Sequence, residues 1–255
     1  MEDLIKIKNT SYAKYEEVLL RRDNLRKEAE QIHINYIKEF GELIKESFEL
    51  KVECIKKKKE IAFCQRLANQ GKKINRNDLI DYIEKAMMEY YAELDSIIKD
   101  VKYAKESRKI SPSVVRKIKE IYYRLAKMIH PDMHPEYADD EVLQDYWNRI
   151  SIAYQYNCLD DIEELEEIVK LYLEKNYNGT PDFEIKDIDA KIMKVEEEID
   201  EITSNNPYLY KLLLTSKTAV KEKRKEYQEE IESYKKYSKQ LDEVLETFEI
   251  EEMLS

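Results

Sequence analysis

The residues with the most distinctive chemistry are three consecutive ones, His130, Pro131 and Asp132, which follow an apolar stretch with a basic face. Proline fixes one backbone angle and lacks an N–H donor, so Pro131 is expected to end a helix rigidly. We therefore predict that His130 and Asp132 are displayed at the apex of a turn and are not packed. An aspartate in that position accepts charge-assisted hydrogen bonds from an arginine of a partner.

The predicted helix before this turn has a cationic face in an otherwise acidic chain. The formal net charge of the 255 residues is −11. The basic side chains of this helix are Arg116, Lys117, Lys119, Arg124 and Lys127. Such a local contrast favours steering toward an acidic surface on another protein.

The run KIKEIYYRLAKMIHPDMHPE, followed by WNRISIAY, resembles the core of a J-domain, the module with which DnaJ-type co-chaperones engage a DnaK-type ATPase chaperone. Ile129 stands in for the usual aromatic residue before the histidine, and Trp147 replaces the usual phenylalanine. The residues that match the apolar packing positions of the family are Ile118, Tyr122, Leu125, Ala126, Ile150, Ala153 and Tyr154.

The resemblance implies two antiparallel helices with the His-Pro-Asp trio on the loop between them. It also implies that the basic helix docks on the DnaK-type chaperone while the trio triggers ATP hydrolysis there. The coiled coils of the chain would then select a client or a location. The partner-binding residues that the resemblance implies are His130, Pro131, Asp132, Lys119, Tyr122, Arg124 and Lys127.

The chain departs from the family pattern in several places. The usual first helix, with its Tyr-x-x-Leu-Gly run, is absent before Ser111, and a predicted coiled-coil helix over 90–109 occupies that place. There is no Gly/Phe-rich linker and no repeated Cys-x-x-Cys-x-Gly-x-Gly motif, so the likeness is to minimal J-proteins with private accessory domains. The competing hypothesis is a coiled-coil scaffold in which the J-like helix pair is purely structural.

Metal binding and enzymatic catalysis are the other site chemistries to weigh. A metal site would use His130 and His134, joined by Cys158 or an Asp, but Pro131 and Pro135 prevent a regular helix that would align the two histidines. An enzyme would need a nucleophile with a base, a phosphate-binding glycine loop or carboxylates that converge in a pocket, and the sequence offers none of these. We expect no metal, no cofactor and no enzymatic activity.

The overall charge and the apolar runs limit the partners and the compartment. A net charge of −11 argues against a nucleic-acid backbone as the partner, since phosphates require a cationic surface. No apolar run approaches the roughly 20 residues that cross a bilayer. The three cysteines have no metal-type spacing and are expected to be reduced thiols, so a cytoplasmic setting is predicted.

The composition favours an all-α fold, because 39% of the residues are charged and there are only three glycines and five prolines. A first helix is predicted from about residues 9–11 to Asn69, and Asn77 is predicted to cap a second one. The short connection between them favours an antiparallel hairpin. The first helix is longer, so part of it needs another partner, in the same chain or in a second copy. The predicted seam of the second helix is Ile80, Ile83, Met87, Tyr90, Leu94, Ile97, Val101 and Ala104.

Further helices are predicted from their start and stop signals. Ser111 with Pro112 begins the central module, and Asp139 or Asp140, then Asp160, cap the next two helices. A break is expected at 178–181. After it, a heptad seam comprises Ile185, Ile188, Ile192, Val195, Ile199 and Ile202.

The last predicted helix opens at Pro207, after the turn Asn205-Asn206-Pro207. Its seam comprises Val220, Tyr227, Ile231, Tyr234, Ser238, Leu241, Leu245 and Phe248. Two successive seams joined by a tight turn predict a second antiparallel coiled-coil hairpin. The predicted architecture is thus two coiled-coil hairpins, 1–110 and 178–255, which flank a J-domain-like module over 111–177, with no strand.

Overall fold

The structure is a computed structural model that describes residues 2–107, 110–177, 185, 187–248 and 250–251, with side chains described from residue 11 to residue 248. The all-α class is confirmed. The helices within these ranges are α1 (Glu2–Asn69), α2 (Arg76–Glu106), α3 (Pro112–Ile129), α4 (Glu141–Gln155), α5 (Leu159–Asn176), α6 (Ile188–Ser204), α7 (Tyr210–Thr215) and α8 (Lys217–Leu245).

Two short strands, β1 (Ile74–Asn75) and β2 (Ile250–Glu251), correct the prediction of a chain without strands. They pair in parallel, with Ile74 opposite Ile250. At two residues each they lie far below the length that periodicity can reveal, since strand patterns become readable only over about four residues. The predicted break at 178–181 lies outside the described residues.

The helices α3 and α4 of the central module begin where their capping residues predict. The Ser111 hydroxyl accepts a hydrogen bond from the Val114 N–H, with Pro112 in the first helical position, and Asp140 caps α4 through the N–H groups of Val142 and Leu143. These side chains satisfy backbone donors that have no partner within the helix.

Several other helix starts differ from the predictions. The cap of α2 is Asn75 and not Asn77, and α5 begins after Cys158 and not after Asp160. The first helix already begins at Glu2. The last predicted helix is divided into α7 and α8, because Ser216 interrupts it and caps α8 by accepting a hydrogen bond from the Ala219 N–H.

The chain forms two compact units that cut across the three predicted segments. One unit comprises Met1–Gln31 with Arg108–Leu209, and the other comprises Ile32–Ser107 with Tyr210–Ser255. The helix α1 contributes to both. Its predicted overhang therefore has partners within the same chain, which is one of the two alternatives that the sequence left open.

In the unit formed by 32–107 and 210–255, α2 packs antiparallel on α1, as predicted. Lys38 Nζ donates to the Ser107 carbonyl at 2.9 Å, whereas Phe63 lies against Tyr82 at a ring-centroid distance of 5.1 Å. The predicted seam of α2 is buried or half-buried, except that Ile80 is 45% exposed and Leu79 faces the core in its place.

In the same unit α8 runs parallel to α1. The hydroxyls of Tyr36 and Tyr227 lie 2.8 Å apart, and Lys57 Nζ donates to the Asp242 carboxylate at 2.7 Å. The predicted register of α8 is confirmed, because all eight residues of its seam, from Val220 to Phe248, are buried or half-buried.

In the unit formed by 1–31 and 108–209, α3, α4 and α5 share one apolar core with Leu20 of α1. The helix α6 packs on α1 through a second cluster, in which Ile192, Val195 and Ile199 meet Tyr15, Val18, Leu19 and Met133. This arrangement differs from the predicted C-terminal hairpin, in which α6 would pair with the last helix. The predicted seam of α6 is buried or half-buried, but the surface that covers it belongs to α1.

Two neighbouring residues of α6 test this packing. Ile192 is 4% exposed and Met193 is 62% exposed. We expect Ile192→Ala to lower the free energy of unfolding by about 2–4 kcal/mol, because it removes buried methyl groups and leaves a cavity. Met193→Ala should change it by less than about 0.5 kcal/mol. Chemical denaturation followed by circular dichroism measures both, and equal effects of the two changes would contradict the assigned face.

Candidate partner-binding site

The His-Pro-Asp trio lies in the connection between α3 and α4, which pack antiparallel. The Tyr122 ring stacks on the Tyr154 ring at a centroid distance of 3.9 Å, and the His130 ring lies 4.6 Å from the Trp147 ring. Because residue numbers rise along one helix as they fall along the other, the trio lies at the end of the pair. We call residues 130–134 the apex.

The backbone of the apex is built around His130. Its N–H still donates to the Ala126 carbonyl of α3 at 3.0 Å, and its carbonyl accepts from the N–H groups of Met133 and His134 at 2.9 and 2.8 Å. Its ring Nδ1 accepts from the Asp132 N–H at 3.0 Å. Pro131 ends the helix as predicted, and the histidine closes the turn that follows.

The burial of the trio corrects the prediction that both polar members are displayed. His130 is 3% exposed, whereas Pro131 is exposed and the Asp132 side chain is 48% exposed. Because Nδ1 of His130 accepts a hydrogen bond, its ring proton lies on Nε2, which faces the Asp23 carboxylate of α1 at 3.6 Å. Tyr122 is also buried. Only Pro131 and Asp132 of the trio are therefore open to a partner.

Asp23 is a buried carboxylate that three other side chains stabilise in its charged form. The Tyr122 hydroxyl donates to it at 2.9 Å, and Arg22 contacts it at 3.0 Å. Burial alone would raise the pKa of Asp23, but the hydrogen bond from His130, the charge of Arg22 and the hydrogen bond from Tyr122 bring it below its ordinary value. Asp23 thus remains an anion under the helix pair.

Arg22 connects the apex to α1 and α6. Its side chain is only 9% exposed, and Nη1 lies 3.4 Å from Asp132 Oδ2 and 3.4 Å from Glu198 Oε2. Arg26 contacts the same Glu198 oxygen at 2.9 Å. We refer to Arg22, Asp23, Asp132 and Glu198 as the Arg22 cluster. A guanidinium suits this position because its fork of five N–H donors serves several carboxylates at once.

Three residues of the predicted cationic face are engaged by acidic residues of the same chain, and one of them is Lys117, which pairs with Glu163 of α5. Arg124 makes a bidentate pair with the buried Glu166 of α5, at 2.6 and 2.9 Å. Lys127 contacts Glu16 of α1 at 2.6 Å. Lys119 is exposed, with its Nζ 5.3 Å from the Tyr123 ring centroid. The side chains of Lys119, Arg124 and Lys127 lie on the surface of α3, so the cationic face exists, but carboxylates of the same chain balance part of its charge.

The helix α1 packs against the α3–α4 pair. Tyr154 donates from its hydroxyl to Asn24 Oδ1 at 2.7 Å, and Lys27 Nζ lies 3.8 Å from the centroid of the Tyr154 ring. Lys27 Nζ is buried without a hydrogen-bond partner among the described atoms. Burial, helped by the nearby Lys119 charge, lowers the pKa of Lys27 to about 8.

The residues weighed as metal ligands have other contacts. His134 lies 2.9 Å from Glu136 through Nδ1 and 2.7 Å from the Lys127 carbonyl through Nε2. Over the described part of the chain, no group of three His, Cys, Asp or Glu residues could hold a metal ion. No helix in those same ranges is long and apolar enough to cross a membrane.

Sequence reasoning missed Arg22, Asp23 and Glu198. One signal was present: Arg22 follows Tyr15, Val18 and Leu19 at helical spacing, so it extends an apolar face into a charged residue. Nothing in the sequence indicated that Asp132 and Glu198, 110 and 176 residues away, would meet it.

In comparisons with known proteins, no protein-family model, no curated protein and no solved structure matches the chain.

Lys27 gives a test of how α1 meets the helix pair. We expect Lys27→Met to raise the free energy of unfolding by about 1 kcal/mol near pH 7, because it removes a desolvated charge, although the loss of the contact with Tyr154 offsets part of the gain. Below pH 8 the folded protein must keep Lys27 charged, whereas above that pH it releases the proton. The gain should therefore shrink as the pH rises from about 8 to 10.

Denaturation midpoints from pH 6 to pH 10 measure this effect, and Lys14→Met on the same helix is the control, since the Lys14 side chain is 56% exposed. Destabilisation by Lys27→Met at pH 7 would mean that the contact with the Tyr154 ring outweighs the burial of the charge.

Proposed function

We propose that this chain is a J-domain-like co-chaperone that binds a DnaK-type ATPase chaperone and stimulates its ATP hydrolysis, while its coiled coils contact a client or determine location. The observation that carries the proposal is the antiparallel α3–α4 pair with His130-Pro131-Asp132 at its end, where Pro131 and half of the Asp132 side chain are open to solvent. An aspartate in a rigid turn of this kind is suited to accept an arginine of a partner.

The surface of α3 supports the same proposal. Lys119, Arg124 and Lys127 are exposed on one helix that leads to the apex. They would give an acidic partner surface a second, electrostatic contact beside Asp132. On this proposal His130 acts indirectly, since its ring accepts the Asp132 N–H and thereby orients the aspartate.

A second candidate function is a coiled-coil scaffold whose J-like pair is structural. It is favoured by the internal engagement of the same groups: His130 faces Asp23, Asp132 pairs with Arg22, and Arg124 pairs with Glu166. In a scaffold these contacts would attach α3 to α1 and α5 and would have no further role.

Single-turnover ATP hydrolysis by the cognate DnaK-type chaperone separates the two functions. We expect the wild-type chain to accelerate hydrolysis, and Asp132→Asn to reduce the acceleration by roughly tenfold or more, because a neutral amide loses the charge-assisted acceptor. Asp139→Asn is the control, since Asp139 is exposed in the same connection. No acceleration by the wild type, or equal acceleration by wild type and Asp132→Asn, would favour the scaffold.

A further inference from the structure

The half-exposed carboxylate of Asp132 at the apex already forms an ion pair within its own chain. Arg22 Nη1 lies 3.4 Å from Asp132 Oδ2, and the Arg22 side chain is 9% exposed while that of Asp132 is 48% exposed. The pair therefore joins a buried arginine of α1 to the residue that a partner would have to contact. The same oxygen that accepts Arg22 is the kind of acceptor that an external arginine requires.

The remaining contacts of Arg22 make this pair exchangeable. Arg22 also contacts Asp23 at 3.0 Å and Glu198 at 3.4 Å. If Asp132 turns outward, the guanidinium keeps two carboxylates, so no buried charge is left unpaired. Loss of a buried partner would otherwise cost several kcal/mol, which would oppose any opening.

The charges of the cluster also favour the approach of a further cation. Asp23, Asp132 and Glu198 contribute three negative charges, and Arg22 with Arg26 contributes two positive ones. Together with Arg26, the cluster therefore has one excess negative charge, and Asp132 is its most exposed carboxylate at 48%, against 29% for Glu198 and 11% for Asp23. An arginine of a partner would meet this carboxylate first.

We propose that Arg22 is an autoinhibitory contact: in the resting protein it occupies Asp132, and a partner binds the apex by displacing Arg22 with a cation of its own. The inference rests on the proposed function, since it names the regulation of that same site. Removal of Arg22 then favours the open apex and lowers the concentration of this protein that half-maximally stimulates the chaperone. We expect this concentration to fall roughly fivefold, which is the lower end of the coupling that is typical between two sites.

Arg22→Gln is the main variant, and Arg26→Gln is its matched control. Arg26 contacts the same oxygen of Glu198, lies one helical turn away, and is 55% exposed. If circular dichroism shows that Arg22→Gln does not fold, Arg22→Lys replaces it. An ammonium reaches fewer carboxylates at once, so this variant should shift the half-maximal concentration in the same direction by a smaller factor.

The first measurement needs no chaperone. Hydrogen exchange of the amides of Asp132, Met133 and His134 reports the apex, because these amides donate to His130. We expect exchange there to become roughly fivefold faster in Arg22→Gln and to be unchanged in Arg26→Gln. Unchanged exchange in Arg22→Gln would overturn the inference, whatever the chaperone does.

The second measurement is the stimulation of ATP hydrolysis by the wild type, Arg22→Gln, Arg26→Gln and Arg22→Gln/Asp132→Asn. Stronger stimulation by Arg22→Gln alone, abolished by the added Asp132→Asn, supports the inference. Equal half-maximal concentrations for wild type and Arg22→Gln overturn it but leave the proposed function intact. No stimulation by any of the four proteins overturns the proposed function, and the inference falls with it.

Discussion

The fold depends on one 68-residue helix, α1, which buries apolar side chains at intervals from Tyr15 to Cys64. An isolated helix gains little from its own hydrogen bonds, so it persists where other elements cover its faces. Leu19 and Phe40 of α1 are both fully buried, the first against α6 and Met133, the second beside the rings of Tyr36 and Tyr227. The sections of α1 in the two compact units thus have different neighbours, and each unit is assembled around its own section.

Within the unit that contains the apex, this dependence explains why His130 is buried. The helix α3 must end before Pro131, and the last turn then needs an acceptor and a donor to close it. His130 supplies both: its N–H donates to the Ala126 carbonyl, while its carbonyl accepts two N–H groups and its ring accepts that of Asp132. Nε2 of the ring then faces the Asp23 carboxylate of α1 at 3.6 Å. The three residues of the trio therefore differ in exposure: His130 is buried and has a structural role, whereas Pro131 and Asp132 lie at the surface.

The sequence predicted those features that depend on local chemistry or on one face of one helix. Ser111 and Asp140 cap as expected, and the seam of α8 from Val220 to Phe248 is buried in the predicted register. Periodicity indicates that a face is buried but not which surface covers it. The sequence therefore predicted the last helix as the neighbour of Ile192, whereas α1 covers it. Arg22 was missed for the same reason. Its burial depends on Asp132 and Glu198, which are distant in sequence, and no local pattern encodes such a meeting.

The charges of α3 bear on both candidate functions in the same way. Arg124 and Lys127 already have carboxylate partners in Glu166 and Glu16, so an acidic partner surface would exchange ion pairs and not simply add them. Exposed pairs contribute little each, because water solvates the separated ions nearly as well, and their exchange therefore costs little. The buried Glu166 is different, since it would lose a bidentate arginine in a poorly solvated position. Arg124 should thus remain on α5 when a partner binds, while Lys119, Lys127 and Asp132 are the charges of the site that are able to change partners.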